Sequence, residues 1–339
     1  MLWTSLALGV SIGLQAAAPP PAGQEATISV SVDLIKIPLS VFDPNGALIH
    51  DLRPEDFRIF EDGVRQEIRS IGLDRNPVSA VLVLDTSATV EKELKAIKQA
   101  AEDFAAALAA EDRISIISFD DEVKLILDWT SDKKQVRKSL RRLDSGLRTA
   151  LYDAMFIAAT RQLKDVDGRK AIILLTDGLN NQSSVGFHEA SLAIVHSQAA
   201  LYVVSKTAFV RQEAGKQRRV MWLNEIYRRM FGETNYIDEF FRKIEKQMSD
   251  LAESTGGRCF FPSGYDRIPE AYADVAHDLK SKYFLTYISN RQKTRNSYHR
   301  IELDYLQPFS KLNYRQGYYH QPNLSGLPIR YPTMRTPHK

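Results

Sequence analysis

From residue 27 to residue 73, apolar and polar positions alternate. Ile28, Val30, Val32 and Leu34 fall on every second position, the period of a half-buried strand. Asp43-Pro44-Asn45-Gly46 and Glu61-Asp62-Gly63 punctuate this region as turns, and the runs 58–60 and 66–68 around the second turn predict a hairpin. After Pro77 the period changes. Residues 78–84 are apolar except for Ser79, which predicts a strand buried on both faces. Leu94, Ile97, Ala101, Phe104 and Leu108 recur at helical spacing through 90–110. A strand at 114–119 follows, and 123–129 is placed to pair with it. Further strands are predicted at 171–175, 201–204 and 259–261, and helices at 133–143, 149–164, 189–197, 240–253 and 269–280. Helix 133–143 reads as basic and exposed, and Gly256-Gly257 reads as the C-cap of helix 240–253. From 283 the chain turns strand-like again, at 283–289, 298–306 and 312–319.

Strand–helix alternation of this kind predicts an α/β fold, with a doubly wound, mostly parallel sheet covered on both faces. The flanking β segments are each too few to bury a face alone. They are expected to meet as one small β-sandwich, into which the α/β domain is inserted. The boundaries are 26–75 and 283–320 for the sandwich halves and 77–282 for the α/β domain. The Pro-rich, polar tail 321–339 is expected to be disordered. Residues 208–236 break the rhythm, with many arginines and the apolar groups Met221-Trp222-Leu223 and Ile226-Tyr227 between them. They predict an inserted helical excursion with a solvated surface, a membrane or partner contact being the alternative.

Composition narrows the function. The 339 residues carry 44% hydrophobic and 26% charged positions and a net charge of +3, with no long basic block, so nucleic-acid binding gains no support. No charge precedes Glu25; the apolar run 6–14 and the small residues after it predict a secretory signal over 1–22. The alternative is an uncleaved membrane anchor, the one membrane contact expected. The protein is thus expected to be exported: periplasmic, at the cell surface or secreted. Cys259 is the only cysteine, which excludes an internal disulfide, and its apolar neighbours suggest a buried structural thiol.

The candidate chemistry lies where elements end. Strand 78–84 runs into Asp85-Thr86-Ser87-Ala88-Thr89, strand 171–175 into Thr176-Asp177-Gly178, and Thr149 opens a helix after Ser145-Gly146-Leu147-Arg148. Loops at the carboxyl ends of doubly wound strands converge where the strand order reverses. Asp85, Ser87, Thr89, Thr149 and Asp177 offer only oxygen, which suits a hard divalent cation, Mg²⁺ first, with Mn²⁺ or Ca²⁺ possible. Each segment alone has a plainer reading: Asp85 or Thr149 as a helix cap, Asp177-Gly178 as a turn. Asp120 and Asp121 read as a solvated turn, and Tyr152 and Asp153 as packing and hydrogen-bonding residues. No zinc-protease, nucleophile-elbow or Walker pattern is present.

Asp85-x-Ser87-x-Thr89, Thr149 and Thr176-Asp177-Gly178 resemble the metal-ion-dependent adhesion site (MIDAS) of the von Willebrand factor type A (VWA) domain, a likeness covering about residues 77–282. Asp56-Phe57, Phe60-Glu61-Asp62-Gly63, Gly256-Gly257-Arg258, residues 283–287 and Arg315-Gln316-Gly317-Tyr318-Tyr319 are similar to a group of exported bacterial VWFA-related proteins. The resemblance implies that Ser87 and Thr89 coordinate the metal through hydroxyls. It implies that Thr149 joins when an acidic ligand binds, and that Asp85 and Asp177 act mostly through waters or one direct oxygen. It implies a protein partner offering a Glu or Asp carboxylate. Three positions depart from the family pattern: Thr89 for serine, Arg148 before Thr149, and Asn180 where further acids are common. Arg148 and Asn180 are therefore candidate partner-binding residues. The expected function is a metal-dependent binding or adhesion module and not an enzyme. The alternatives are a metal-assisted hydrolase, disfavoured because no His or Glu lies in the three site loops, and an envelope scaffold with an incidental metal site.

Overall fold

A computed structural model describes residues 34–87, 91–208, 210–211, 225–226, 228–230, 232, 236–291, 293–322 and 331–336. The signal segment 1–22, Thr89 and most of the excursion 208–236 lie outside the described residues. Four strands come first: β1 (Leu34–Phe42), β2 (Phe57–Glu61), β3 (Val64–Gln66) and β4 (Ile68–Leu73). The α/β region follows as β5 (Val78–Asp85), α1 (Glu91–Ala107), β6 (Arg113–Phe119), β7 (Val123–Thr130), α2 (Lys133–Leu140) and α3 (Leu151–Ile157). It continues with β8 (Arg169–Thr176), α4 (Phe187–Ser197), β9 (Ala200–Ser205), α5 (Tyr236–Ser254), β10 (Cys259–Phe260) and α6 (Ile268–Lys280). Strands β11 (Tyr283–Ile288), β12 (Tyr298–Tyr305), β13 (Lys311–Tyr314), β14 (Gly317–Tyr319) and β15 (Met334–Arg335) complete the chain.

The large sheet has the order β10-β9-β8-β5-β6-β7-β15. Its pairs are parallel except β6 with β7. Every residue of β5 is buried, as its nearly continuous apolar run predicts. Ala80, Leu82 and Leu84 face one core with Phe104 of α1 and Tyr272 of α6; Val81 and Val83 face the other with residues of α3, α4 and α5. This period-two split makes β5 the spine of a three-layer fold.

The outer strands form two antiparallel sheets, β13-β1-β11-β4 and β14-β12-β2-β3. β1 pairs with β11 from Leu34↔Ile288 to Leu39↔Tyr283, so the first and last β segments share one sheet. Ile37, Leu39, Ile59, Leu285, Tyr287, Ile301 and Leu303 build a single core between the two sheets. The hairpin pairs Ile59↔Gln66 and Glu61↔Val64. The predicted C-cap is present: Gly256 N–H donates to Glu253 O and Gly257 N–H to Ala252 O.

Several expectations change. Part of the tail is ordered: β15 adds to the free edge of β7, where Met334 packs on the core and Arg335 reaches Glu122. An edge strand with unpaired backbone groups provides the template. The helix expected over 149–164 starts at Leu151 and widens into a π turn, Ala158–Gln162, where Leu163 N–H reaches Ala158 O. Helix α2 buries Val136, Ser139 and Leu140 and is amphipathic, not simply exposed. Among the described residues no helix is long and apolar enough to cross a membrane.

Candidate metal centre

β5 and β8 are neighbours in register, with Val83 opposite Leu174 and Leu84 opposite Leu175. Asp85 and Thr176-Asp177 therefore leave adjacent strands at the same edge. The chain passes from β5 to β6 on one side, while β8 and β9 lie on the other. This is the switch point at which such sheets bind ligands. The loop before α3 is fastened here by backbone contacts: Gly146 N–H to Thr86 O, Ala150 N–H to Asp120 O, and a bridge between Ser87 and Gly146. A Cβ on Gly146 would stand 2.6 Å from that of Asp120, so the approach demands glycine.

Thr149 sits at the crossing of these loops. Its N–H donates to Asn181 Oδ1 at 2.8 Å, and its carbonyl accepts from the N–H groups of Asn181 and Gln182. The N-cap of α3 is Ala150, without a side-chain cap, so Thr149 is not the helix cap. Its side chain is buried, and its hydroxyl makes no hydrogen bond among the described residues. Asp85 is wholly buried. Its Oδ1 accepts from the backbone N–H (3.0 Å) and hydroxyl of Ser87, and its Oδ2 accepts from Thr176 Oγ1 at 3.3 Å. Asp177 Oδ1 accepts from Leu179 N–H at 2.9 Å. Burial first, then the charge of Asp85, pushes the Asp177 carboxyl up to about 6, and Lys206 opposes the rise. Four of the five predicted ligands thus converge.

The structure corrects or refines the neighbours. Asp120 is buried and accepts from Lys124 Nζ (2.8 Å) and Thr86 Oγ1, and Asp121 accepts from Leu147 N–H. Both aspartates brace the loop; Asp121 is exposed as a turn residue should be, and Asp120 is buried rather than solvated. Arg148 is exposed and donates to Gln182 Oε1 at 2.9 Å, beside the exposed Leu147. Asn180 Oδ1 accepts from Ser183 Oγ, which in turn accepts from the N–H groups of Tyr152 and Asp153. Asp153 Oδ1 accepts from Ser184 and Val185 N–H groups.

Sequence reasoning missed two members. Lys206 follows β9, whose Ser205 lies opposite Thr176. Lys206 N–H donates to Thr176 O at 2.7 Å, and its buried ammonium stands 3.4 Å from Asp85 Oδ2. The strand register alone signals this position. Tyr265, bonded to Glu93, lies close enough to feel the charges of Asp177 and Asp85, although burial is the main cause of its raised pKa.

The donor chemistry fits a hard cation. Buried Asp85 and partly exposed Asp177 face one lysine, and Thr149 offers a hydroxyl that bonds no group among the described residues. Among the described residues, no three His, Cys, Asp or Glu side chains gather as a metal site, so an ion here relies on two acids and hydroxyls.

A second polar cluster lies in the sandwich. Ser297 Oγ is 2.7 Å from His299 Nε2, and His299 Nδ1 is 2.8 Å from Asp62 Oδ2. The spacing is that of a hydrolase triad, yet the Ser297 hydroxyl and N–H both bond Thr294 O. Beside it, buried Glu61 accepts from Tyr318 and Ser289 and faces Lys293 at 3.5 Å. These contacts close turns and tie the two sheets together. Cys259 is half-buried, and burial pushes its thiol up to about 12, which fits an inert structural role.

Residues 80–180 match the family model of the von Willebrand factor type A domain. The matched stretch lies in the α/β layer and contains every predicted ligand. An uncharacterized protein of Synechocystis sp. is 32% identical over 110 residues, which cover 31% of this chain and 26% of the relative. The vWF domain of the type V pili tip protein Mfa5 from Porphyromonas gingivalis shares 23% identity over 33% of this chain and 43% of its own, with a TM-score of 0.30. Proximal thread matrix protein 1 from the mussel byssus, solved with a zinc-occupied MIDAS motif, shares 16% identity over 65% of this chain and 50% of its own, with a TM-score of 0.45. The chain thus covers half or less of each of these proteins.

Proposed function

We propose that this chain is an exported, metal-dependent binding module that captures an acidic group of a protein partner. The observation that carries the reading is the meeting of buried Asp85 and partly exposed Asp177 with a Thr149 hydroxyl that bonds no group among the described residues, at the switch point of the sheet. Ser87, Thr149 and, outside the described residues, Thr89 supply neutral oxygens; Asp85 and Asp177 supply charge. Mg²⁺ suits this set, and Mn²⁺ or Ca²⁺ can replace it. When bound, the ion supplies an electrophilic position for a Glu or Asp carboxylate. Arg148 stands exposed on the rim as a second contact, while Asn180 acts by holding Ser183. Binding is favoured over hydrolysis because the site loops hold no His or Glu, and the nearby Glu93 is committed to Tyr265. The apolar run 6–14 supports export.

Isothermal titration of the purified chain with Mn²⁺ tests the site. Asp85→Asn is expected to weaken binding by about a hundredfold, because ligand charge sets affinity over decades. Thr149→Ala is expected to retain the fold, since its backbone makes the loop contacts. Capture of partners from envelope and culture fractions should then require the cation. A partner retained equally by Asp85→Asn, or in chelator, would refute the reading.

A further inference from the structure

Lys206 adds a charge that the candidate ligand set does not include. Its backbone is fixed: the N–H donates to Thr176 O, and the carbonyl accepts from Val210 N–H at 3.2 Å. The next residue, Thr207, donates through its hydroxyl to Glu245 Oε1 at 2.6 Å, which ties this turn to α5. The side chain therefore runs into the site from a braced turn and is 95% buried, its relative exposure being 5%. Its ammonium approaches Asp85 Oδ2, whereas Ser87 binds Oδ1. The two carboxylate oxygens are divided, one toward the hydroxyl ligand and the other toward a tethered cation. Of the other acids nearby, Asp120 is matched by Lys124 at 2.8 Å, and Glu93 is bonded to Tyr265. At the centre, Asp85 and Asp177 carry two negative charges and Lys206 one positive charge.

We infer that Lys206 is a built-in counter-cation that weakens the hold on the divalent ion and leaves the loaded site with a net positive charge that draws an acidic partner. This rests on the metal-site reading above. With both carboxylates and no lysine, a divalent ion would be neutralised. With Lys206 held against Asp85, one unit of positive charge remains for the partner's carboxylate. Without the ion, the same ammonium partly balances the two acids, so the domain keeps its site formed while empty of metal.

The test titrates Mn²⁺ into wild type, Lys206→Met, Lys206→Arg and Asp85→Asn, and follows metal-induced thermal shifts in the same proteins. Removing one charge a few ångströms from the ligands should tighten Mn²⁺ binding by about tenfold or more in Lys206→Met. The same variant should show a larger metal-induced shift in melting temperature than wild type. Lys206→Arg should retain wild-type affinity. If Lys206→Met does not fold without metal, Lys206→Gln, which can still donate to Asp85, carries the comparison and should also bind more tightly. Unchanged or weaker Mn²⁺ binding in the uncharged variant, with Asp85→Asn still defective, overturns the role of Lys206 and leaves the metal site standing. Equal Mn²⁺ binding by wild type and Asp85→Asn, or no binding by either, overturns the site itself and this inference with it.

Discussion

At the scale of single residues, Gly146 shows how narrowly the centre is built. The loop that delivers Thr149 must press against Asp120 and Asp121, and a methyl group would meet Asp120 Cγ and Asp121 Oδ2 at 2.7 Å. Gly146→Ala should cost about 1–3 kcal/mol, the usual range for overpacking a tight contact. It should also lower Mn²⁺ affinity by shifting Thr149. Urea denaturation in chelator reads the first effect and metal titration the second. Stability and affinity both at wild-type level would show that the loop yields freely. The positions of the candidate ligands were legible in the sequence because three short patterns fell at the ends of predicted elements. Lys206 and the burial of Asp120 were not. The first depends on the register between β8 and β9, and the second on a loop approaching from elsewhere in the chain.

Elements were legible in proportion to the strength of their period. β5 and β8 announce themselves because both faces are buried, and α1 because one stripe is. The π turn after α3 and the edge strand β15 leave no comparable signal: the first keeps the helical apolar pattern, and the second has only two residues. Placement of β5 also depends on a contact no period reveals. Asp112 Oδ1 accepts from Val78 N–H at 2.7 Å, and Oδ2 accepts from Ala109 N–H at 2.8 Å. One carboxylate thus fixes the start of β5 and the turn after α1. Asp112→Ala should orphan the buried Val78 donor and release the part-buried Ala109 one, at a cost of about 2 kcal/mol, because a buried unpaired N–H retains its desolvation penalty. Hydrogen exchange at Val78 should accelerate well before the centre of β5 is affected. Protection equal to wild type at Val78 would mean that another group holds the strand.

In the molecule as a whole, the α/β layer and the sandwich are interlocked rather than tethered. Asn313 Nδ2 donates to the carbonyls of Gly256 and Gly257, Arg315 to Gln198 O at 2.8 Å, Lys311 to Glu253, and Gln316 N–H to Ser254 O. His196 of α4 stacks on Tyr319 of β14 with ring centroids 3.7 Å apart. Burial lowers the His196 pKa from 6.5 to about 4, so the ring is neutral in the folded protein at neutral pH. The folded value lies below the unfolded one. Its contribution to stability is therefore complete above about pH 6.5 and is lost as the pH falls toward 4, amounting to no more than about 3 kcal/mol. Urea denaturation between pH 7.5 and pH 4.5 should show this loss in wild type. His196→Phe keeps an aromatic face against Tyr319 but cannot take up a proton, so its stability should fall less over the same interval. Parallel pH profiles for the two proteins would place the acid sensitivity elsewhere. A difference confined to this interval would show that the stack joining α4 to β14 is held by a neutral imidazole.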